Sequence, residues 1–201
     1  MAYYRTKRTF TPGEGLPLVS TDLDSVRTYQ WEIVFGGLPA TITNEEELTL
    51  AAKKVTGLEI SVENKTIDRV NDRLNYPGKA TLGEAVITFD NLYNRETSSD
   101  LFRWFQTIYD PVTGLQTRFT RPGGGGGTFK AEKVEIIMLD NTMNPHSTIE
   151  LYGAYPTKWS AAELNYSTSD FHTIELSLKY DFMNTFHYSN KPADPFGSII
   201  G

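Results

Sequence analysis

Residues 147–183, STIELYGAYPTKWSAAELNYSTSDFHTIELSLKYDFM, decide the fold. They read as two strands joined by a Tyr-Pro-Thr-Lys-Trp corner at 155–159. In the second strand Ile174, Leu176, Leu178 and Tyr180 alternate with Thr173, Glu175, Ser177, Lys179 and Asp181. A period of two sets one face on a core and leaves the other to water or a neighbour.

The same alternation recurs upstream. A strand is expected at 28–36, where Tyr29, Trp31, Ile33 and Phe35 alternate with Gln30, Glu32 and Val34, and Gly36-Gly37-Leu38-Pro39 ends it. The acidic run Glu45-Glu46-Glu47 is expected in a solvated connector. Leu58, Ile60 and Val62 alternate with Glu59, Ser61 and Glu63, and a second short strand is expected near 66–70. Tyr76-Pro77-Gly78 is a turn signal. Ala85, Ile87 and Phe89 then alternate with Glu84, Val86, Thr88 and Asp90. The block from 58 to 91 therefore reads as a long hairpin with its apolar face on the core.

One helix is expected at about 100–109, with Leu101, Phe105 and Ile108 on one stripe and Ser98 or Ser99 capping it. Residues 116–128 read as a loop holding Gly123–Gly127. Strand pattern resumes at 129–139, followed by a turn at 140–145. The whole predicts a mainly β chain: an antiparallel sandwich or barrel with one flanking helix. Its expected parts are an extended arm at 1–25, a single domain at 26–183 and a tail at 184–201.

Length and composition bound the rest. A chain of 201 residues has room for one sizeable core. Aromatic content of 12% is high and favours pleated surfaces and interfaces. A net charge of −6 argues against gripping nucleic acid by its phosphates. There is no cysteine, so disulfides and thiolate metal sites are excluded. No apolar run is long enough to span a membrane. The start, MAYYRTKRTF, is basic without a following apolar run, so it does not read as a secretory signal.

A search for chemistry finds none. The glycine run lacks the Lys-Ser/Thr of a phosphate loop and no helix pattern opens after it. His146, His172 and His187 have no metal-ligand spacing. Glu59/Glu63 and Glu175/Asp181 lie where alternation already explains polar residues. Beyond the basic start, Lys53-Lys54 and Arg118/Arg121 are the densest basic groups, too sparse for a nucleic-acid track. Neither catalysis nor a cofactor is expected.

The order of segments resembles the tube protein of contractile bacteriophage tails, a relative of the type VI secretion tube protein. The residues that carry the resemblance start with the Tyr-Gln-Trp-Glu-Ile-Val-Phe strand at 29–35. Asn71, Arg73, Asn75 and Gly78 then precede an alternating strand, and Phe102-x-Trp104-Phe105 sits in the helix. Gly153, Tyr155, Pro156, Thr157, Leu164 and Glu175 match the corner and closing strand. The resemblance covers about 28–115 and 129–183.

That resemblance implies six copies in a ring, rings stacked into a hollow tube, and a contractile sheath driving the tube through a host envelope. Implied partners are the sheath, baseplate, tail terminator, tape-measure protein and DNA, the last two passing down the lumen without specific binding. The implied location is the virion tail, assembled in host cytoplasm. The polar set Glu59, Ser61, Glu63, Glu84 and Thr88 is then expected to line the lumen, or else to form ordinary outer surface; periodicity does not choose. The arm, glycine loop and tail are expected contacts to the next ring or the sheath. A baseplate tube initiator or the tube of a phage-derived injection machine is the nearest alternative. A carbohydrate- or receptor-binding sandwich is the alternative from another class.

Overall fold

The computed structural model describes residues 26–42, 44–93, 95–116, 129–167 and 169–188. The expected arm, the glycine loop and residues 189–201 of the expected tail lie outside them. The strands are β1 (Trp31–Gly36), β2 (Ala52–Thr56), β3 (Ile60–Asp68), β4 (Arg73–Leu82), β5 (Ala85–Asp90), β6 (Ala131–Leu139), β7 (Pro145–Ala161), β8 (Thr173–Lys179) and β9 (Phe182–His187). The helices are α1 (Glu45–Ala51) and α2 (Thr97–Gln106). Every strand pairing is antiparallel.

The main sheet runs β1-β6-β7-β8-β5-β2, with β9 also on β7. β7 is the shared member. Its first half pairs β6 and β9, and its second half pairs β8. The change falls between Gly153, whose φ is +64°, and a bulge between Pro156 and Lys158. The Tyr-Pro-Thr-Lys-Trp segment is thus not a junction between two strands; it lies inside one strand and turns that strand from one layer into the other. Pro156 is tolerated there because a bulge relaxes the demand for a ladder donor.

Between the layers lies one core. Ile33 and Phe35 of β1, Val134 and Ile136 of β6, Leu151 of β7, Ile174, Leu176 and Leu178 of β8, and Ala85, Ile87 and Phe89 of β5 are buried. The alternation expected for β5 and β8 holds. α2 closes the core with Leu101 and Trp104, and Trp104 stands edge-on to Phe35 at 6.3 Å. Its Nε1–H donates to the Phe129 carbonyl at 3.0 Å.

Several expectations are corrected. Among the described residues there are two helices: the acidic run Glu45-Glu46-Glu47 is the first turn of α1, where negative charge suits the positive end of the dipole. Leu48 and Ala51 are its buried residues. α2 starts earlier than expected, and its buried face is Thr97, Asp100, Leu101 and Trp104, spaced i, i+3, i+4, i+7. Phe105 and Ile108 are only half-buried. Ser98 and Ser99 lie inside the helix, and no side chain caps it. Tyr29 precedes β1, in a turn closed by Gln30 N–H to the Arg27 carbonyl. Residues 182–187, read as the end of a domain and the start of a tail, form β9.

The largest correction concerns 58–91. β3 and β4 form a separate two-stranded sheet, and every residue of β3 is exposed. Ile60 and Val62 do not face the core. Their partners are Leu82 and Ala80 across the hairpin. The turn is at 69–72, closed by Arg69 N–H to the Asp72 carbonyl at 2.8 Å. Tyr76-Pro77-Gly78 sits within β4, beside a register shift opposite Val62 and Asn64.

Gly153 carries the bend. A Cβ there would collide with the Asp181 carboxylate, which also holds Lys130 Nζ at 2.6 Å. Gly153→Ala should cost about 2–3 kcal/mol: roughly 1–2 for the left-handed backbone and the rest for displacing Asp181. Thermal melts check this. Adding Asp181→Ala should recover the clash but not the backbone share.

Candidate functional site

Three surfaces concentrate the exposed chemistry. The first is the β3–β4 hairpin. Ile60/Leu82 and Val62/Ala80 pair near its base, while Ile67/Leu74 and Lys65/Tyr76 pair farther out. Ile60, Val62, Ile67 and Tyr76 are all about half exposed. Arg73 Nε donates to Asp68 at 2.6 Å across the strands, and Asn75 accepts from Thr66 at 3.3 Å and Asn64 at 3.4 Å. Gly78 lets β4 approach Glu63 closely: a Cβ there would lie 2.9 Å from the Glu63 carbonyl. Thus Arg73, Asn75 and Gly78 shape the hairpin, and Asn71 lies in its turn.

The second surface is the outward face of β2, β5, β8 and the end of β7. Register places Lys54, Thr88, Glu175 and Ser160 in one row and Thr56, Val86, Ser177 and Lys158 in the next. Lys53 pairs with Asp90 at 3.1 Å. At the end of this face Thr157 Oγ bonds the Glu84 carboxylate and lies 3.2 Å from the Ser177 carbonyl. The face is built of short polar side chains because its opposite side holds Ile87, Phe89, Leu176 and Leu178 in the core.

The predicted polar set is therefore divided. Thr88 and Glu84 belong to this face, whereas Ser61 and Glu63 lie on the hairpin and Glu59 at its base. Glu175 is register partner to Thr88. Lys54, Thr56, Lys158 and Ser160 were missed as companions; the polar half of the β8 alternation was the available signal for Glu175 and Ser177. Tyr155 packs edge-on to Phe129 at 5.7 Å, and Leu164 lies exposed in the β7–β8 loop.

The third surface is the far side of β6 and β7. Lys133 bridges Glu135 at 2.7 Å and Glu150 at 3.4 Å, and Tyr152 OH donates to Glu150 at 2.7 Å. Burial pushes the Glu150 carboxyl up, but Tyr152 and Lys133 outweigh it and hold it below the ordinary carboxylate value. Burial pulls Lys133 down, and Glu135 and Glu150 more than restore it. Asp100, at the start of α2, is raised by burial against the opposing pull of Arg103. These ion pairs compensate charges that are partly or fully buried.

His146 and His187, distant in sequence, meet across β7 and β9 with ring centroids 4.4 Å apart. His172 instead contacts Asn91. Among the described residues no group of three or more His, Cys, Asp or Glu is placed to hold a metal ion. Among them no helix is long and apolar enough to cross a membrane.

The profile of the family described as T4-like virus tail tube protein gp19 matches residues 29–184. A chain of the PVC sheath-tube complex of an extracellular contractile injection system, in its extended state, superposes with a TM-score of 0.62 at 16% identity. That match covers 84% of this chain and 99% of the other. A chain of the anti-feeding prophage baseplate gives 0.61 at 17% identity, over 81% of this chain and 96% of the other. One of the anti-feeding prophage tube-terminating cap gives 0.61 at 11%, over 82% and 92%. At these identities the structural likeness establishes the fold. No curated protein matches the chain.

Proposed function

Because this chain belongs to the T4-like virus tail tube protein gp19 family, a family of structural tube proteins, we propose that six copies close into a ring and that rings stack into a hollow conduit. The observation that carries this reading is the β3–β4 hairpin. A two-stranded hairpin alone is marginal in water, yet this one presents Ile60, Val62, Ile67 and Tyr76 to solvent. A neighbouring copy supplies the missing cover. Among the described residues the sheet also ends at β1, β2 and β9, each paired along one edge. Pairing edges between copies around a closed ring removes an aggregation hazard.

The face carrying Thr88 and Glu175 is the proposed lumen wall, with Glu84 at its end and Glu59, Ser61 and Glu63 extending it along the hairpin. Lys54 and Lys158 flank Glu175, so the wall carries both signs. It offers no continuous basic track for phosphates, and DNA or a tape-measure protein passes without being held. A contractile sheath lies outside, with a baseplate and a terminator at the two ends; the sheath-tube, baseplate and cap assemblies named for the structural neighbours support those partners. No cofactor is required. The arm at 1–25 and the segment after β9 flank a single tube domain, and the particle is a tail assembled in the host cytoplasm.

Negative-stain microscopy and sedimentation velocity on the purified chain test the reading. Hollow rods or six-fold rings are expected. Compact single subunits at every concentration and salt would overturn it, and glycan binding by such subunits would favour the receptor-binding alternative.

A further inference from the structure

We propose that the basic N-terminal segment, residues 1–13, docks in an acidic cleft formed by the β7–β8 loop of the next copy. The proposal rests on the tube reading for its head-to-tail arrangement of copies. The cleft has a volume of about 390 Å³ and is lined by Glu163, Leu164, Asn165, Asp170, Phe171 and His172, among others. Its apolar members are unusually bare: Leu164 is 82% and Phe171 85% exposed, and Tyr166 beside them is fully exposed. Its charged members, Glu163 and Asp170, are both acidic, and neither belongs to any of the ion pairs described above. A concave surface with two bare apolar side chains among polar ones and two carboxylates suits a peptide that brings aromatic and cationic side chains together.

The chain carries such a peptide. Residues 1–13, MAYYRTKRTFTPG, hold Arg5, Lys7 and Arg8 and no acidic residue, giving +3 in a protein whose net charge is −6. Tyr3, Tyr4 and Phe10 flank those charges. The family profile begins at residue 29, so this segment lies outside the part that the family shares.

Topology selects the copy. β1 starts beside the end of β6, since Trp31 pairs with Met138, and Met138 pairs with Ser147 at the start of β7. The cleft follows the other end of β7, after Ala161. β7 is 17 residues long, roughly 55 Å if straight and less with its bend. The arm therefore leaves one end of the subunit while the cleft opens at the other. When copies stack head to tail along the direction of β7, the arrangement this proposal takes, those two ends meet. The 25 residues before Val26 reach up to roughly 80 Å when extended, ample for the crossing.

The test uses the full chain and a fluorescent peptide of residues 1–13. The R5E/K7E/R8E chain, its own arm no longer complementary, should bind the peptide, seen as raised anisotropy. Adding E163K/D170K should weaken that binding at least tenfold, and so should raising salt, because exposed complementary charges are screened. In sedimentation velocity R5E/K7E/R8E and E163K/D170K should each reduce association, and combining all five changes should restore it. No peptide binding, or binding indifferent to E163K/D170K, overturns the proposal. Unchanged sedimentation in both variants overturns the head-to-tail assignment and leaves a contact within one copy. Peptide binding without rings or rods would keep the arm–cleft contact and sink the tube reading instead.

Discussion

Replacing residues 60–82 by an Asn-Gly turn should leave a folded subunit that no longer assembles. The graft point is defined: Gly83 N–H donates to the Glu59 carbonyl at 2.9 Å, so a two-residue turn there closes a short hairpin. Below it, Thr56 pairs with Val86 and Val55 with Ile87, which keeps β2 on β5. The residues removed have their strand partners on each other, and those of β3 are all exposed. Of the side chains lost, Leu82 is the one packed against the core, and it is only half-buried, so the melting temperature should move by only a few degrees. Assembly should fall from rods or rings to single subunits by sedimentation and microscopy. Rods of normal length from the shortened chain would show that the hairpin is not the contact. A large fall in melting temperature would show that it belongs to the folding unit after all.

That experiment addresses the place where pattern and environment part. Alternation at Ile60, Val62 and Ala85, Ile87, Phe89 looks identical in sequence, because a period of two reports sidedness and not what covers a side. β5 is flanked on both edges by strands of the main sheet; among the described residues β3 pairs with β4 alone. Such pairing is non-local and leaves no mark in a short window. The same limit hid the row Lys54-Thr88-Glu175-Ser160, whose members come from four strands. By contrast, the β8 face was legible because Ile174, Leu176 and Leu178 all meet one core.

Other misreadings have local causes. Gly153 and Pro156 are breakers by propensity, so a 17-residue strand was divided at its bend. Here the breakers mark the point where the strand changes layers, not its end. α1 has seven residues and buries two of them, too few to show a helical period. In β9, Phe-Met-Asn-Thr-Phe-His carries no clean alternation, and it is β7 that gives the segment its strand conformation. The candidate motif positions differ in how local their surroundings are. Those at the β7 bend and along the hairpin have local geometric roles, whereas the role of Thr88 and Glu175 depends on which neighbours flank their strands.

Trp104→Ala should be the most damaging single core substitution. Trp104 is fully buried, at the meeting of α2 with β1, and stacks edge-on against Phe35. It is also a polar anchor, because its indole N–H reaches the Phe129 carbonyl just before β6 begins. Truncation removes the ring, leaves a cavity and strips that carbonyl of its donor. Large-to-small changes at such sites cost about 3–5 kcal/mol. For a chain of this size that corresponds to a fall of about 10 °C in melting temperature. Trp104→Phe separates the contributions: it keeps most of the volume and loses the hydrogen bond, for about 1–2 kcal/mol. If the two variants melt alike, the anchor to Phe129 dominates and the packing argument fails. If the Phe variant melts like the parent, the hydrogen bond contributes nothing net, and α2 is held by its apolar face alone.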